Sequence, residues 1–143
     1  MTGPVHVLLV EDNPGDVRLT QEVLRESPVE VDVSVAGDGE DALACMRSLD
    51  PYAGRPTPRL VLLDLNLPRK SGIEVLAECK SDPALRRIPV IVLSGSSSGR
   101  DVEQAYDLHA NAYVAKPLDL AAFMGALRAI EGFWLELATL PPG

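Results

Sequence analysis

Apolar and polar positions along the chain sort into short unbroken apolar runs separated by helical stripes. Leu60 to Leu63 is four apolar residues in succession, the pattern of a strand covered on both faces as in a parallel sheet. Val5 to Val10, Ile88 to Leu93 and the shorter Ala112 to Ala115 read the same way. Val29 to Val35 differs: valine alternates with Glu30, Asp32 and Ser34, which predicts a strand with one wet face at or near a sheet edge. Helical patterns lie between these runs. Asn13-Pro14 reads as a cap followed by a first-turn proline, and Val17, Leu19, Val23 and Leu24 then share one half of the helical wheel. Gly37-Asp38-Gly39 leads into a second helix carrying Ala42, Leu43 and Met46, and Gly72 to Lys80 is a third. A short fourth helix holds Val102, Ala105 and Tyr106, and Asp119 caps a fifth. In that last helix Leu120, Phe123, Met124, Leu127, Ile130 and Trp134 form one stripe. Strand and helix alternate five times. That predicts an α/β fold: a five-stranded parallel sheet, doubly wound, with right-handed crossovers.

Composition narrows the picture. A chain of 143 residues with 46% hydrophobic residues suits one domain with an ordinary core. No run is long enough to span a membrane, and the start shows no secretory pattern, so a cytoplasmic setting is expected. The net charge of −8 argues against DNA or RNA as a partner. Cys45 and Cys79 lie in helical segments without metal-ligand spacing and read as small hydrophobes, while His6 and His109 stand alone. The proline- and glycine-marked stretch 50–58 is a loop.

The strand ends carry the chemistry. In an open parallel sheet, ligands bind at the carboxyl ends of the strands. There the first strand supplies Glu11 and Asp12, the third Asp64 with Asn66 just beyond, the fourth Ser94, and the fifth Lys116. Carboxylates converging on one edge raise one another's cost of ionisation, and a divalent cation resolves that. An all-oxygen ligand set points to Mg²⁺, with Mn²⁺ also suitable. A carboxylate can also attack phosphorus to give an aspartyl phosphate, with a metal and an ammonium neutralising the transferring group. Taken separately, Glu11-Asp12 could be cap residues, Ser94 a loop donor, and Lys116 a solvated charge. Their joint occurrence at strand ends favours a site.

These residues resemble the receiver domains of two-component response regulators. The resemblance rests on the acidic pair Glu11-Asp12, on Asp64-Leu65-Asn66-Leu67-Pro68, on Ser94 and on Lys116-Pro117, and covers about residues 5 to 131. It implies a flavodoxin-like fold and phosphoryl transfer from a histidine kinase to Asp64. Mg²⁺ would be held by Glu11, Asp12, Asp64 and the Asn66 carbonyl, with Lys116 and Ser94 on the phosphoryl group. It further implies a switch in which Ser94 moves and Tyr113 turns inward, and a cis Lys116-Pro117 bond. A narrower resemblance links loop 50–58, Leu108-His109-Ala110-Asn111 and the ending Gly132-Phe133-Trp134-Leu135-Glu136-Leu137 to small regulators that partner phytochrome-type histidine kinases. Most receivers have glycine where His109 stands, and histidine tolerates the positive φ expected at that helix end.

Residues 132–143 form an extension of the single receiver unit. There Phe133, Leu137 and Leu140 add apolar surface; Phe133, Trp134 and Leu137 predict a homodimer, the alternative being a tail folded back on its own domain. No output domain is expected after it, so the output would be another protein, dimer geometry or onward phosphotransfer. A haloacid-dehalogenase-like phosphatase also uses a strand-end aspartate with Mg²⁺. It needs a second aspartate two residues on, and Asn66 stands there instead. Neither a Walker loop nor a GxGxxG fingerprint is present.

Overall fold

The computed structural model describes residues 3–142. The strands are β1 (Val5–Val10), β2 (Val31–Ala36), β3 (Leu60–Leu63), β4 (Val90–Ser94) and β5 (Ala112–Ala115). The helices are α1 (Pro14–Arg25), α2 (Gly39–Met46), α3 (Gly72–Ser81), α4 (Gly99–Asp107) and α5 (Leu120–Glu131), and a π-helical turn, Gly132–Leu137, continues α5. All strand pairs are parallel, in the order β2-β1-β3-β4-β5. The alternating strand therefore lies at an edge, as its wet face requires. The unbroken apolar strand β3 lies at the centre.

Alternate side chains of each central strand feed two separate cores. Val7, Leu9, Leu60, Leu62, Ile91 and Leu93 pack with Val23 and Leu24 of α1 and with Phe123, Leu127 and Ile130 of α5. Leu8, Val10, Val61, Leu63, Val90 and Val92 pack instead with α2, α3 and Ala105 of α4. Each fully buried Leu or Val contributes about 1.5–3 kcal/mol relative to exposure. Cys45 and Cys79 are free thiols buried in the second of these cores.

Two strand starts fall later than the apolar pattern suggests. Val29 donates its N–H to Ser27 Oγ at 3.1 Å, which keeps it in a turn, and β2 begins at Val31. Ile88 closes a turn on Leu85, and Pro89 has no N–H, so β4 begins at Val90.

The extension departs from expectation at one point. Leu140 does not add outward apolar surface; with Leu135 it is buried in the core built on α1 and α5. The Arg59 guanidinium holds it there by donating to the Leu140 and Pro141 carbonyls, at 3.3 and 3.2 Å. Phe133 and Leu137 do face outward, at 49% and 75% exposure, and Phe133 meets Trp134 edge-on. His109 adopts φ 71°, the conformation that its position after α4 calls for.

Candidate functional site

The sheet's own ladder sets the site residues side by side. Val10 pairs with Leu63, so Glu11 and Asp64 follow on adjacent strands, and Asp64 N–H donates to Val10 C=O at 3.0 Å. On the other side Ser94 pairs with Ala115, and Lys116 N–H donates to Ser94 C=O at 2.7 Å. The loop after Asp64 is held tightly. Asn66 N–H donates to Asp64 Oδ1 at 3.1 Å, and the first residue of α3, Gly72, presses against the same loop. A Cβ at Gly72 would lie 2.3 Å from the Asp64 carbonyl oxygen, so no other residue fits without moving the backbone that carries Asp64.

Glu11, Asp64 and Ser94 are buried, whereas Asp12 and Asn66 are exposed. Glu11, Asp12 and Asp64 each present a carboxylate oxygen within 4.8 Å of the others. The Lys116 ammonium bridges this group, donating to Glu11 Oε1 at 2.5 Å, Asp16 Oδ2 at 2.9 Å and Asp64 Oδ2 at 3.1 Å. Burial raises the Glu11 carboxyl to about 7; its hydrogen bond from Lys116 pulls downward and the Asp64 charge adds to the rise. Burial also opposes the charged form of Lys116, but its carboxylate hydrogen bonds outweigh that and hold it above the ordinary lysine range. Three carboxylates thus share one ammonium and Asp12 adds a fourth negative group beside them, leaving excess negative charge that a hard cation would neutralise. The donor set is oxygen throughout, which fits Mg²⁺ or Mn²⁺.

Of the residues singled out in the sequence, Glu11, Asp12, Asp64 and Lys116 come together directly. Ser94 lies beside Lys116 at the end of β4, its hydroxyl oxygen accepting Ser96 N–H at 3.2 Å. Tyr113 stands behind that loop, its hydroxyl donating to the Ser96 carbonyl at 2.8 Å. The loop is closed further by Ser96 Oγ donating to Asp101. One expectation fails: the cis peptide bond among the described residues is Asp50-Pro51, and Lys116-Pro117 is trans. The trans isomer is the intrinsically cheaper one, and from it the Lys116 side chain still reaches Asp64. Asp16, one of the three partners of Lys116, was not anticipated. An acidic residue in the first turn of a helix ordinarily reads as a dipole complement, and only its position after Asn13-Pro14 could have pointed to the strand end.

Residues 7–128 match the model of the response regulator receiver domain. The chain belongs to this family. Response regulator Rcp1 of Synechocystis sp. is 46% identical over 138 residues, 96% of this chain and 94% of Rcp1. A crystal structure of the phosphorylated cyanobacterial phytochrome response regulator RcpA is 48% identical with a TM-score of 0.94, covering 98% of this chain and all of that one. The Mn²⁺-bound form of Rcp1 also superposes at 0.94, with 46% identity over 97% of this receiver and 100% of Rcp1. The bacteriophytochrome response regulator AtBRR, 38% identical over 99% of this receiver and 100% of its own chain, superposes at 0.74.

Proposed function

We propose that this receiver, one unit with a core at about residues 5–131 and an extension at 132–143, accepts a phosphoryl group on Asp64 from a phytochrome-type histidine kinase. The observation that carries this reading is the Lys116 ammonium 3.1 Å from Asp64 Oδ2, beside a triad of carboxylates fit for a cation. The pairing with a phytochrome kinase draws on relatives: RcpA is a phytochrome response regulator and AtBRR a bacteriophytochrome one. In the transfer an Asp64 oxygen bonds to phosphorus as the P–N bond of the donor phosphohistidine breaks, and the imidazole nitrogen keeps the electron pair and gains a proton. Mg²⁺ held by Glu11, Asp12, Asp64 and the Asn66 carbonyl would neutralise charge on the phosphoryl oxygens. Lys116 supplies a second positive charge, and the Ser94 hydroxyl donates to a phosphoryl oxygen.

The receiver acts catalytically only on its own phosphorylation and dephosphorylation. Its output is a changed surface: Ser94 shifts toward the phosphoryl group, and Tyr113 and the Ser96 carbonyl follow. Phe133, Trp134 and Leu137 suit a homodimer contact. With a net charge of −8 the partners are proteins, not DNA, and the setting is cytoplasmic.

A phosphotransfer screen against the histidine kinases of the source organism tests the reading. Wild type should take up acid-labile phosphate in the presence of Mg²⁺, and Asp64→Asn should take up none while melting as a folded protein. Labelling of Asp64→Asn at the wild-type rate would show that the acceptor lies elsewhere. Sedimentation of wild type as a monomer at high concentration, with and without phosphorylation, would remove the dimer.

A further inference from the structure

An ammonium has three N–H donors, and all three of those on Lys116 are taken, by Glu11, Asp16 and Asp64. Two of these acceptors, Glu11 and Asp64, belong to the triad suited to a cation. Asp16 does not. A cation in the triad would compete with Lys116 for Glu11 and Asp64, whereas Asp16 would stay available to Lys116 in either state.

Asp16 is itself well fixed. Its N–H donates to the helix-capping Asn13 Oδ1 at 3.1 Å, and its carbonyl accepts from Thr20 Oγ1 at 2.8 Å. Thr20 is buried, so this turn of α1 is pinned to the core side. The side chains of Asp16 and Lys116 are 27% and 13% exposed, so solvent screens the pair less than it would a surface salt bridge. A lysine ammonium rides on a flexible four-carbon stem and stays beside one carboxylate only if something anchors it.

We propose that Asp16 is a positioning residue for phosphoryl transfer, anchoring the Lys116 ammonium beside the acceptor carboxylate. The role rests on the reading of Asp64 as phosphoacceptor. With one N–H kept by Asp16, two remain to meet the oxygens of the incoming group. The competing role for Asp16 is purely structural, a first-turn carboxylate complementing the α1 dipole. That role would move stability but not the Lys116 ammonium.

Asp16→Asn keeps the size of the side chain and removes its charge, and three measurements on the full chain separate the roles. With an acyl phosphate as donor, an Asp64 oxygen bonds to phosphorus while the acyl–oxygen to phosphorus bond breaks and a carboxylate leaves with the electron pair. At saturating Mg²⁺ the labelling rate should fall about tenfold in Asp16→Asn, equivalent to about 1.4 kcal/mol of barrier. Mg²⁺ affinity by calorimetry should stay within about twofold, because Asp16 lies outside the triad. In the Mg²⁺-bound protein, where the cation would take Glu11 and Asp64, the ¹H–¹⁵N signal of the Lys116 ammonium should be protected from exchange in wild type and lost in Asp16→Asn. Wild-type labelling by Asp16→Asn, or an unchanged Lys116 signal, overturns the proposal. So does a loss confined to Mg²⁺ affinity, which would make Asp16 a cation ligand. Wild type that never labels, yet keeps its Lys116 signal, overturns the phosphoacceptor reading and this role with it.

Discussion

Two lysines at opposite ends of the sheet have the same number of hydrogen bonds and opposite electrostatics. At the amino ends, Lys80 Nζ donates to the carbonyls of Arg86 and Ile88 and to Asn111 Oδ1, at 3.1, 2.7 and 2.9 Å. At the carboxyl ends, Lys116 Nζ donates to three carboxylates. Burial pulls the Lys80 ammonium below the ordinary lysine range because its acceptors are neutral, whereas the carboxylates push Lys116 above it. Two other donors at the amino ends also have neutral acceptors. Arg59 donates to backbone carbonyls, and the buried His6 ring donates from Nδ1 to the Pro56 carbonyl at 2.6 Å, with Nε2 2.8 Å from Ser34 Oγ. Pro56 oxygen can only accept, which places a proton on Nδ1. Each of these amino-end ties is closed with neutral partners. The carboxyl end carries more negative charge than its one ammonium can match, a surplus that costs stability and suits an incoming cation and phosphoryl group. Saturated hydrogen bonding therefore does not separate structure from function here; uncompensated charge does.

Removing the cation from the charged end should have the largest effect. Lys116→Ala leaves Glu11 and Asp64 facing each other in a buried pocket, and the metal-free protein should lose about 3 kcal/mol. Saturating Mg²⁺ should restore most of that loss, because a cation binds the folded cluster and not the unfolded chain. Urea unfolding with chelator and with Mg²⁺ gives both numbers. An equal Mg²⁺ increment in wild type and variant would mean that Lys116 and the cation do not share the same carboxylates. Some phosphorylation of Asp64 should persist, uncoupled from the surface change.

The matching substitution at the neutral end should act on stability alone. Lys80→Met keeps the stem but leaves the Arg86 and Ile88 carbonyls without their donor, at a cost of about 1–2 kcal/mol. Labelling of Asp64 under saturating Mg²⁺ should stay within about twofold of wild type, well short of one decade in rate. A larger change in labelling would tie the two ends together and dissolve the contrast between them.

Much of this contrast is legible in the chain before folding. The central strands announce themselves as apolar runs, and an acid, a hydroxyl or an ammonium directly after such a run lands on one rim because parallel strands share a direction. What was not legible depends on rotation and distance. Asp16 faces Lys116 only through the angular setting of α1, which an amphipathic stripe fixes too coarsely to assign one first-turn carboxylate. The closeness of Gly72 to the Asp64 carbonyl depends on how near α3 packs, and apolar periodicity carries no distances. Leu140 lies in an irregular stretch without a repeat, so nothing in its pattern told the core side from the solvent side; the Arg59 tie decided it. The expected cis bond at Lys116-Pro117 came with the family resemblance and not with any local pattern, and the chain has trans there.

The finest test of the contrast is a slope and not a loss. The Glu11 carboxyl is raised from 4.5 to about 7, chiefly by burial. Below pH 4.5 Glu11 is protonated in both folded and unfolded chains, and above about 7 it is ionised in both. Between those limits the folded state holds a proton that the unfolded chain has released, so stability falls as pH rises through the window. Each pH unit inside it should cost about 1 kcal/mol. Glu11→Gln cannot titrate, so the difference in urea midpoint between the metal-free wild type and this variant isolates the slope from every other group. Mg²⁺ should move the window downward, because a cation ligand must be a carboxylate and binding expels the proton. The wild type, unlike the variant, should then release protons on Mg²⁺ binding near pH 6 within that window. Parallel stability curves for the two proteins across the window would place Glu11 with the neutral ties of the opposite end, and the charged rim would need another source for its strain.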